Sequence, residues 1–285
     1  MCAGPGVNEL SGYSYAISGL AYASLKYVTN VKFLPDLNDV NRSLDRFTFG
    51  FEKTVLCGNA SIELRLPFAS GLNSRQTFGA ADTQATELGN LGLAFKMNLL
   101  SGCDWILSGG TGITIPTGDD FEAYTANALD LRVKNDAVHL SPFIGYLHQP
   151  NQNWFFQSFI QADFDLSGTD VFTGTGGFEG VIQDQNLLFI DASLGRWIHR
   201  NCNPCKRYSG VAAIAELHYT TTMNDTDTVS AITNPYNRMD ILNASGALNF
   251  LFRKTSLRVG GAAPLRDDEE RLFDAEIIFQ LNRRY

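Results

Sequence analysis

Three sets of residues in this chain have types and spacings that could carry chemistry. Residues 201–206 read NCNPCK, which puts Cys202 and Cys205 in a Cys-x-x-Cys pair. Two thiols so spaced make a redox couple or half a zinc site in a reducing compartment, and a local disulfide in an oxidising one. His139 and Ser141 form an H-x-S, the residue types of a base and a nucleophile, and Glu216 and His218 set a carboxylate beside an imidazole. The third set is charge at the polar positions of alternating stretches: Arg46, Glu52, Glu63, Arg65, Lys96, Asp163, Asp165, Asp191, Glu216, His218, Arg258, Asp274 and Glu276. What each set does depends on the elements that hold it.

Those elements read as strands. From Leu91 the odd positions are Leu91, Leu93, Phe95, Met97 and Leu99, against Gly92, Ala94, Lys96 and Asn98. From Trp154 the even positions are Trp154, Phe156, Ser158, Ile160, Ala162, Phe164 and Leu166, against Phe155, Gln157, Phe159, Gln161, Asp163 and Asp165. A side-chain period of two is that of a β-strand. The split recurs at Phe47, Phe49 and Phe51, at Ile62, Leu64, Leu66 and Phe68, at Leu188, Ile190, Ala192 and Leu194, and at Leu248, Phe250 and Phe252. In a soluble β-sandwich such rows of Phe and Leu would be exposed to water and aggregate. Against lipid they are at home.

A tilted strand crossing a bilayer needs about 9–11 residues, more than the about 5–6 of a globular strand. Strands are predicted at 45–56, 59–69, 88–100, 103–115, 136–149, 153–166, 186–199, 208–221, 238–252, 255–265 and 271–285. Single-chain bacterial barrels carry even strand numbers, and residues 25–34 have room for one more. The expected fold is all-β, a single antiparallel up-and-down transmembrane β-barrel of about 12 strands. Residues 25–285 would form it, and residues 1–24 an N-terminal segment: a plug, a periplasmic stretch or a lead-in to the first strand. Residues 1–11 lack the basic start and apolar core of a secretory signal, so either the chain is mature or truncated or it is not an exported barrel.

Connections alternate in length. Short turns are expected at 57–59, 101–103, 150–153, 201–207 and 253–255, and longer loops at 70–87, 117–135, 167–185, 222–237 and 266–270. Short turns toward the periplasm and long loops outward are the outer-membrane arrangement, with both termini in the periplasm. Charge follows the same sidedness within a formal net charge of −8. Acids gather in the long loops, as at Asp119, Asp120 and Glu122, at Asp170, Glu179 and Asp184, and at Asp267, Asp268, Glu269 and Glu270. Bases such as Arg200, Lys206, Arg207, Arg253, Lys254, Arg283 and Arg284 sit at turns or near the C-terminus. The acidic clusters read as solvated loops, with a calcium or lipopolysaccharide bridge as the alternative. No nucleic-acid role is indicated. No run of about 18 apolar residues provides a transmembrane helix.

On a barrel the three sets change meaning. Cys57, Cys103, Cys202 and Cys205 fall in turns on the periplasmic side, where Cys202 and Cys205 would form a local disulfide; no metal and no cofactor are expected. His139 and Ser141 have the parity of the lumen, as do Glu216 and His218, which read as a lumen pair and not a catalytic dyad. Outer-membrane phospholipases, barrels of similar length, use a lipid-facing His and Ser and continue Asn-Gly-Arg after the Ser; here Pro142, Phe143 and Ile144 follow. An enzyme is not expected. The inward charges would line a narrow pore or pair and close it, and in a conducting barrel lumen acids such as Asp163, Asp165, Asp191 and Glu216 would favour cations or cationic solutes.

The C-terminal stretch Phe273, Ile277, Phe279, Leu281 and Tyr285, apolar at alternate positions and ending on an aromatic, resembles the signal by which the barrel-assembly machinery of bacterial outer membranes takes up its clients. Residues 89–96, GNLGLAFK, and 109–119, GGTGITIPTGD, resemble the paired core motif of the outer-membrane transporter family named for the meta pathway of phenol degradation. That resemblance implies a barrel in the bacterial outer membrane, in contact with its lipid, that admits small hydrophobic or aromatic solutes. The expected function is therefore a passive channel or transporter. The alternative is a non-conducting structural or adhesive barrel that works through its acidic outer loops.

Overall fold

A computed structural model describes residues 22–29, 45–72, 74–78, 85–126, 128–174, 176–201, 208–225, 240–266 and 273–284. The described strands, in chain order, are β1 (Tyr22–Thr29), β2 (Asp45–Val55), β3 (Ala60–Leu72), β4 (Arg75–Phe78), β5 (Ala85–Leu88), β6 (Leu91–Ser101), β7 (Trp105–Ile115), β8 (Phe121–Thr125), β9 (Ala128–Val133), β10 (His139–His148), β11 (Trp154–Asp165), β12 (Thr169–Thr173), β13 (Gly177–Ile182), β14 (Leu187–Arg200), β15 (Tyr208–Thr222), β16 (Asp240–Phe252), β17 (Thr255–Pro264) and β18 (Glu276–Arg284). Each of the eleven segments predicted from alternation overlaps one long strand, and β1 overlaps the region held open for a twelfth.

The long strands close on themselves. β1 pairs with both β18 and β2, and the antiparallel chain of pairings runs on through β3, β6, β7, β10, β11, β14, β15, β16 and β17 back to β18. That ring has 12 strands and leaves its sheet without a free edge, the condition for a backbone immersed in lipid. Register keeps faces coherent, because a slip of one residue would turn every side chain to the other face. Phe49 lies opposite Leu66 and Phe51 opposite Leu64, so the outward rows of neighbouring strands coincide.

Burial is inverted relative to a water-soluble domain. Along β11, Trp154, Phe156 and Ile160 are exposed, while Phe155, Gln157, Phe159 and Gln161 are buried. Phe49, Leu93, Leu194, Leu217, Ile277, Phe279 and Leu281 also lie open on the outside, and Glu52, Glu63, Lys96 and Arg258 are buried. This is what a lipid-facing wall around a polar interior requires.

The last strand departs from its predicted course. β18 begins at Glu276, so Phe273 precedes it and does not join the lipid-facing row. Phe273 is buried against Ala262, with Ala69 and Ile278 packed on the same cluster; Ile278, apolar on the inward parity, thereby finds its partners. Asp274, expected to line the pore, is exposed ahead of the strand. Phe273 and Ala275 continue the alternation through residues the chain uses to bend, so parity alone extends the strand too far upstream. Residues 1–21, Cys202, Cys205 and Tyr285 lie outside the described residues.

The long loops carry structure that their acidity did not announce. β4, β8, β9, β12 and β13 form a five-stranded sheet in the order β13-β12-β9-β8-β4, with β4 parallel to β8. It knits three successive outer loops together. Its ion pairs are Arg132 to Asp120 at 2.5 Å, Arg75 to Glu122 at 3.1 Å and Lys134 to Asp170 at 3.3 Å. Burial pushes the Asp120 carboxyl up, but the Asn135 backbone N–H and Arg132 outweigh it and hold the group below the usual aspartate range. At the opposite rim the turn between β2 and β3 is tight, with Leu56, Cys57 and Gly58 all at positive φ. Cys57 and Cys103 are exposed, free thiols.

Candidate functional site in the barrel lumen

The inward side chains gather into two polar clusters on opposite walls and an aromatic group between them. On β2, β3 and β6, Lys96 is 1% exposed, with its Nζ 2.6 Å from Glu63 and 3.1 Å from Glu52. Arg65 donates to both oxygens of Glu63 from Nε and Nη2, at 2.8 and 2.9 Å, and the Ser61 hydroxyl donates to Glu52. Two carboxylates thus meet two cations. Charges removed from water persist when paired and hydrogen-bonded.

The second cluster is built on β14, β15, β16 and β17. His218 places Nδ1 2.9 Å from Asp191 and Nε2 3.0 Å from the Ser245 hydroxyl. Ser245 donates to Glu216 at 3.2 Å, and Arg258 lies 3.7 Å from the other Glu216 oxygen. Register explains the meeting: Asp191 lies opposite His218, and Glu216 opposite Ser245. The order Asp, His, Ser is that of a hydrolytic relay. Here, however, Ser245 directs its hydroxyl to Glu216, whereas an activated nucleophile donates to its imidazole base. The cluster is a hydrogen-bond network.

Aromatic rings occupy the lumen between these walls. Phe143 and Phe159 stand 5.5 Å apart beside Ala94, and Phe155 and Trp197 stand 6.3 Å apart with Ala212 and Ile214. Phe155 lies opposite Gly195, and its ring covers the space a Cβ there would take. Any larger residue at Gly195 would push the ring toward the lumen axis.

Other predicted residues sit at the rims. Arg46 is partly exposed and pairs with Glu276 at 2.6 Å. Asp163 accepts the Ser141 hydroxyl at 3.1 Å and lies 3.4 Å from His139. The H-x-S residues therefore each turn to an acid. Asp165 accepts the backbone N–H groups of Ser167, Gly168 and Asp184, so it ties the outer loop to the rim. Ser245 and Asn243 were overlooked, although both have the inward parity against Leu248, Phe250 and Phe252.

The motif residues form a latch at the outer rim. Asn90 Oδ1 accepts the backbone N–H groups of Thr117 and Gly118, each at 3.1 Å, and exchanges amide hydrogen bonds with Asn135. Thr117 donates to the Gly89 carbonyl and accepts from the Leu91 N–H. GNL and PTGD thus lock β6 to β7 where the strands leave the membrane.

No family model matches the chain, and no curated protein matches its sequence. Among solved structures it is similar to an outer membrane channel from Pseudomonas putida F1, with a TM-score of 0.64 at 13% identity, over 99% of this chain and 100% of that one. The β domain of the Bordetella autotransporter BrkA follows at 0.57 and 12%, over 94% and 99%. A mutant of the TodX monoaromatic hydrocarbon channel gives 0.50 and 12%, over 95% and 92%. The likeness runs over nearly the whole chain and joins the ring of pairings and the apolar outer face: the chain folds as a closed transmembrane β-barrel of the bacterial outer-membrane type.

Proposed function

We propose that this protein is a channel of the bacterial outer membrane, without enzymatic activity, that passes small solutes with apolar or aromatic bodies. The observation that carries the reading is the lining: inside a closed ring, Phe143, Phe159, Phe155 and Trp197 face the interior beside a few placed polar groups. Sites for small organic molecules are built this way, from apolar walls with sparse polar anchors. The likeness to an outer membrane channel and to a monoaromatic hydrocarbon channel supports it. So does the resemblance of residues 89–119 to the phenol-degradation transporter motif. The conducting body in this reading is residues 25–285 extended upstream to Tyr22, where β1 begins, and Ile277, Phe279, Leu281 and Tyr285 present the last strand to the assembly machinery. The remaining predicted lumen groups, from Arg46 and Glu52 to Arg258 and Glu276, set its charge.

The test is single-channel recording of the refolded protein in planar bilayers, with reversal potentials under a salt gradient. Discrete steps with cation preference support a channel lined by the lumen acids. Stable insertion without conductance favours the second reading, a structural or adhesive barrel, for which the five-stranded outer sheet and the neutralised Lys96 cluster speak. Failure to insert removes both.

A further inference from the structure

We propose that the lumen site bordered by Ser193, Glu216 and Asn243 takes the primary ammonium group of an organic solute whose apolar body lies against the neighbouring aromatic rings. The inference rests on the channel reading only in supposing that solutes reach the lumen. Ser193 lies opposite Glu216, and Asn243 opposite His218, which puts the three on adjacent strands one inward step apart. They are 6%, 7% and 8% exposed. Each nevertheless keeps an oxygen without a hydrogen bond: Ser193 Oγ, Glu216 Oε1 and Asn243 Oδ1. Buried polar atoms are rarely left so, because they have given up water for nothing.

The chemistry of these oxygens names the partner they would take. A carboxylate oxygen and an amide oxygen only accept, so whatever sits there brings donors, and an ammonium brings three N–H donors and no acceptor. A hydroxyl brings one. An anion would face the carboxylates of both Asp191 and Glu216, and Arg258, at 3.7 Å from Glu216 Oε1, is too far for a hydrogen bond. On the opposite wall the protein answers the same problem with its own side chain, where the Lys96 ammonium lies between Glu63 and Glu52. Among the described residues no lysine pairs with Glu216. Aromatic surface adjoins the site on β11, with Phe159 opposite Asp191 and Phe155 opposite Gly195, two residues from Ser193. Ring faces attract a cation as well as an apolar body.

The probe is benzylammonium chloride, titrated calorimetrically into the full chain in detergent, with benzyl alcohol as the neutral isostere and benzoate as the anion. Benzylammonium is expected to bind at least about ten-fold more tightly than benzyl alcohol, with no binding of benzoate. Glu216→Gln, which keeps the shape and removes the charge, and Asn243→Leu should each weaken benzylammonium about ten-fold. Equal binding of benzylammonium and benzyl alcohol, or affinity unchanged in Glu216→Gln, would overturn the proposal and leave the vacant oxygens to water. Because the titration needs no conductance, a non-conducting barrel that binds benzylammonium refutes the channel and keeps the site. A conducting barrel without ammonium preference does the reverse.

Discussion

Lys96 and His218 occupy comparable places in this barrel, each an inward nitrogen-bearing side chain on a wall strand with two carboxylates beside it. Around Lys96 the two carboxylates lie at 2.6 and 3.1 Å, and Arg65 and Ser61 take up the remaining oxygens. Around His218 the distances are 2.9 and 3.7 Å to Asp191 and Glu216, and oxygens of Glu216, Ser193 and Asn243 are left over. Charged groups thus make a fully bonded joint on one wall and a network with unbonded oxygens on the other. The difference is stoichiometry. One wall matches two acids with two permanent cations; the other matches two with one distant guanidinium and an imidazole.

The sharpest way to break this contrast is to remove the cation that closes the first wall. Lys96→Met leaves Glu52 and Glu63 buried without their ammonium, and is expected to cost about 3–5 kcal/mol, read as a fall in the urea midpoint of the barrel in detergent. His218→Leu removes the hydrogen bonds to Asp191 and Ser245 from a network already incomplete, and is expected to cost about 1–3 kcal/mol in the same assay. Equal losses would erase the distinction between joint and binding surface.

The smallest effect belongs to the outer sheet, where ion pairs face solvent and serve neither wall. Asp120 holds its charge to lower pH in the folded sheet than when unfolded, so its stabilising contribution is complete above the ordinary aspartate value of 3.8 and is lost as the pH falls through that of the folded group. Proteolysis of residues 117–135 by an acid protease should therefore rise below about pH 4, while the barrel strands stay protected. In Asp120→Asn that rise should be absent, because the stabilising charge is already missing above about pH 4. An unchanged pH profile in the variant would remove Asp120 from the sheet's stability.

Much of this was legible in the chain. Alternation placed eleven strands and left room for β1, because a wall between lipid and a polar interior imposes period two on every strand. Turn and loop lengths and the acidic loops identified the two rims for the same reason. Alternation misled at Phe273 and Asp274, where an apolar-polar rhythm continued through a bend. It was silent on β4, β8, β9, β12 and β13, since loops that pair with one another above the membrane have no lipid to write a pattern on them.

Local chemistry repeated along the chain carries the class of fold, a strand number of about 12 and the inward face of most strands. Which inward residues meet follows from the folded arrangement. Asp191, His218, Glu216 and Ser245 come together through the register of three neighbouring strands, and β1 meets β18 across almost the whole length of the chain. Parity assigns a side chain to a face, but its neighbours on that face are set by hydrogen-bond register between distant segments. That register, which sets Glu216 beside Ser245 and Arg258 while Glu52 and Glu63 share Lys96, is what separates the two walls.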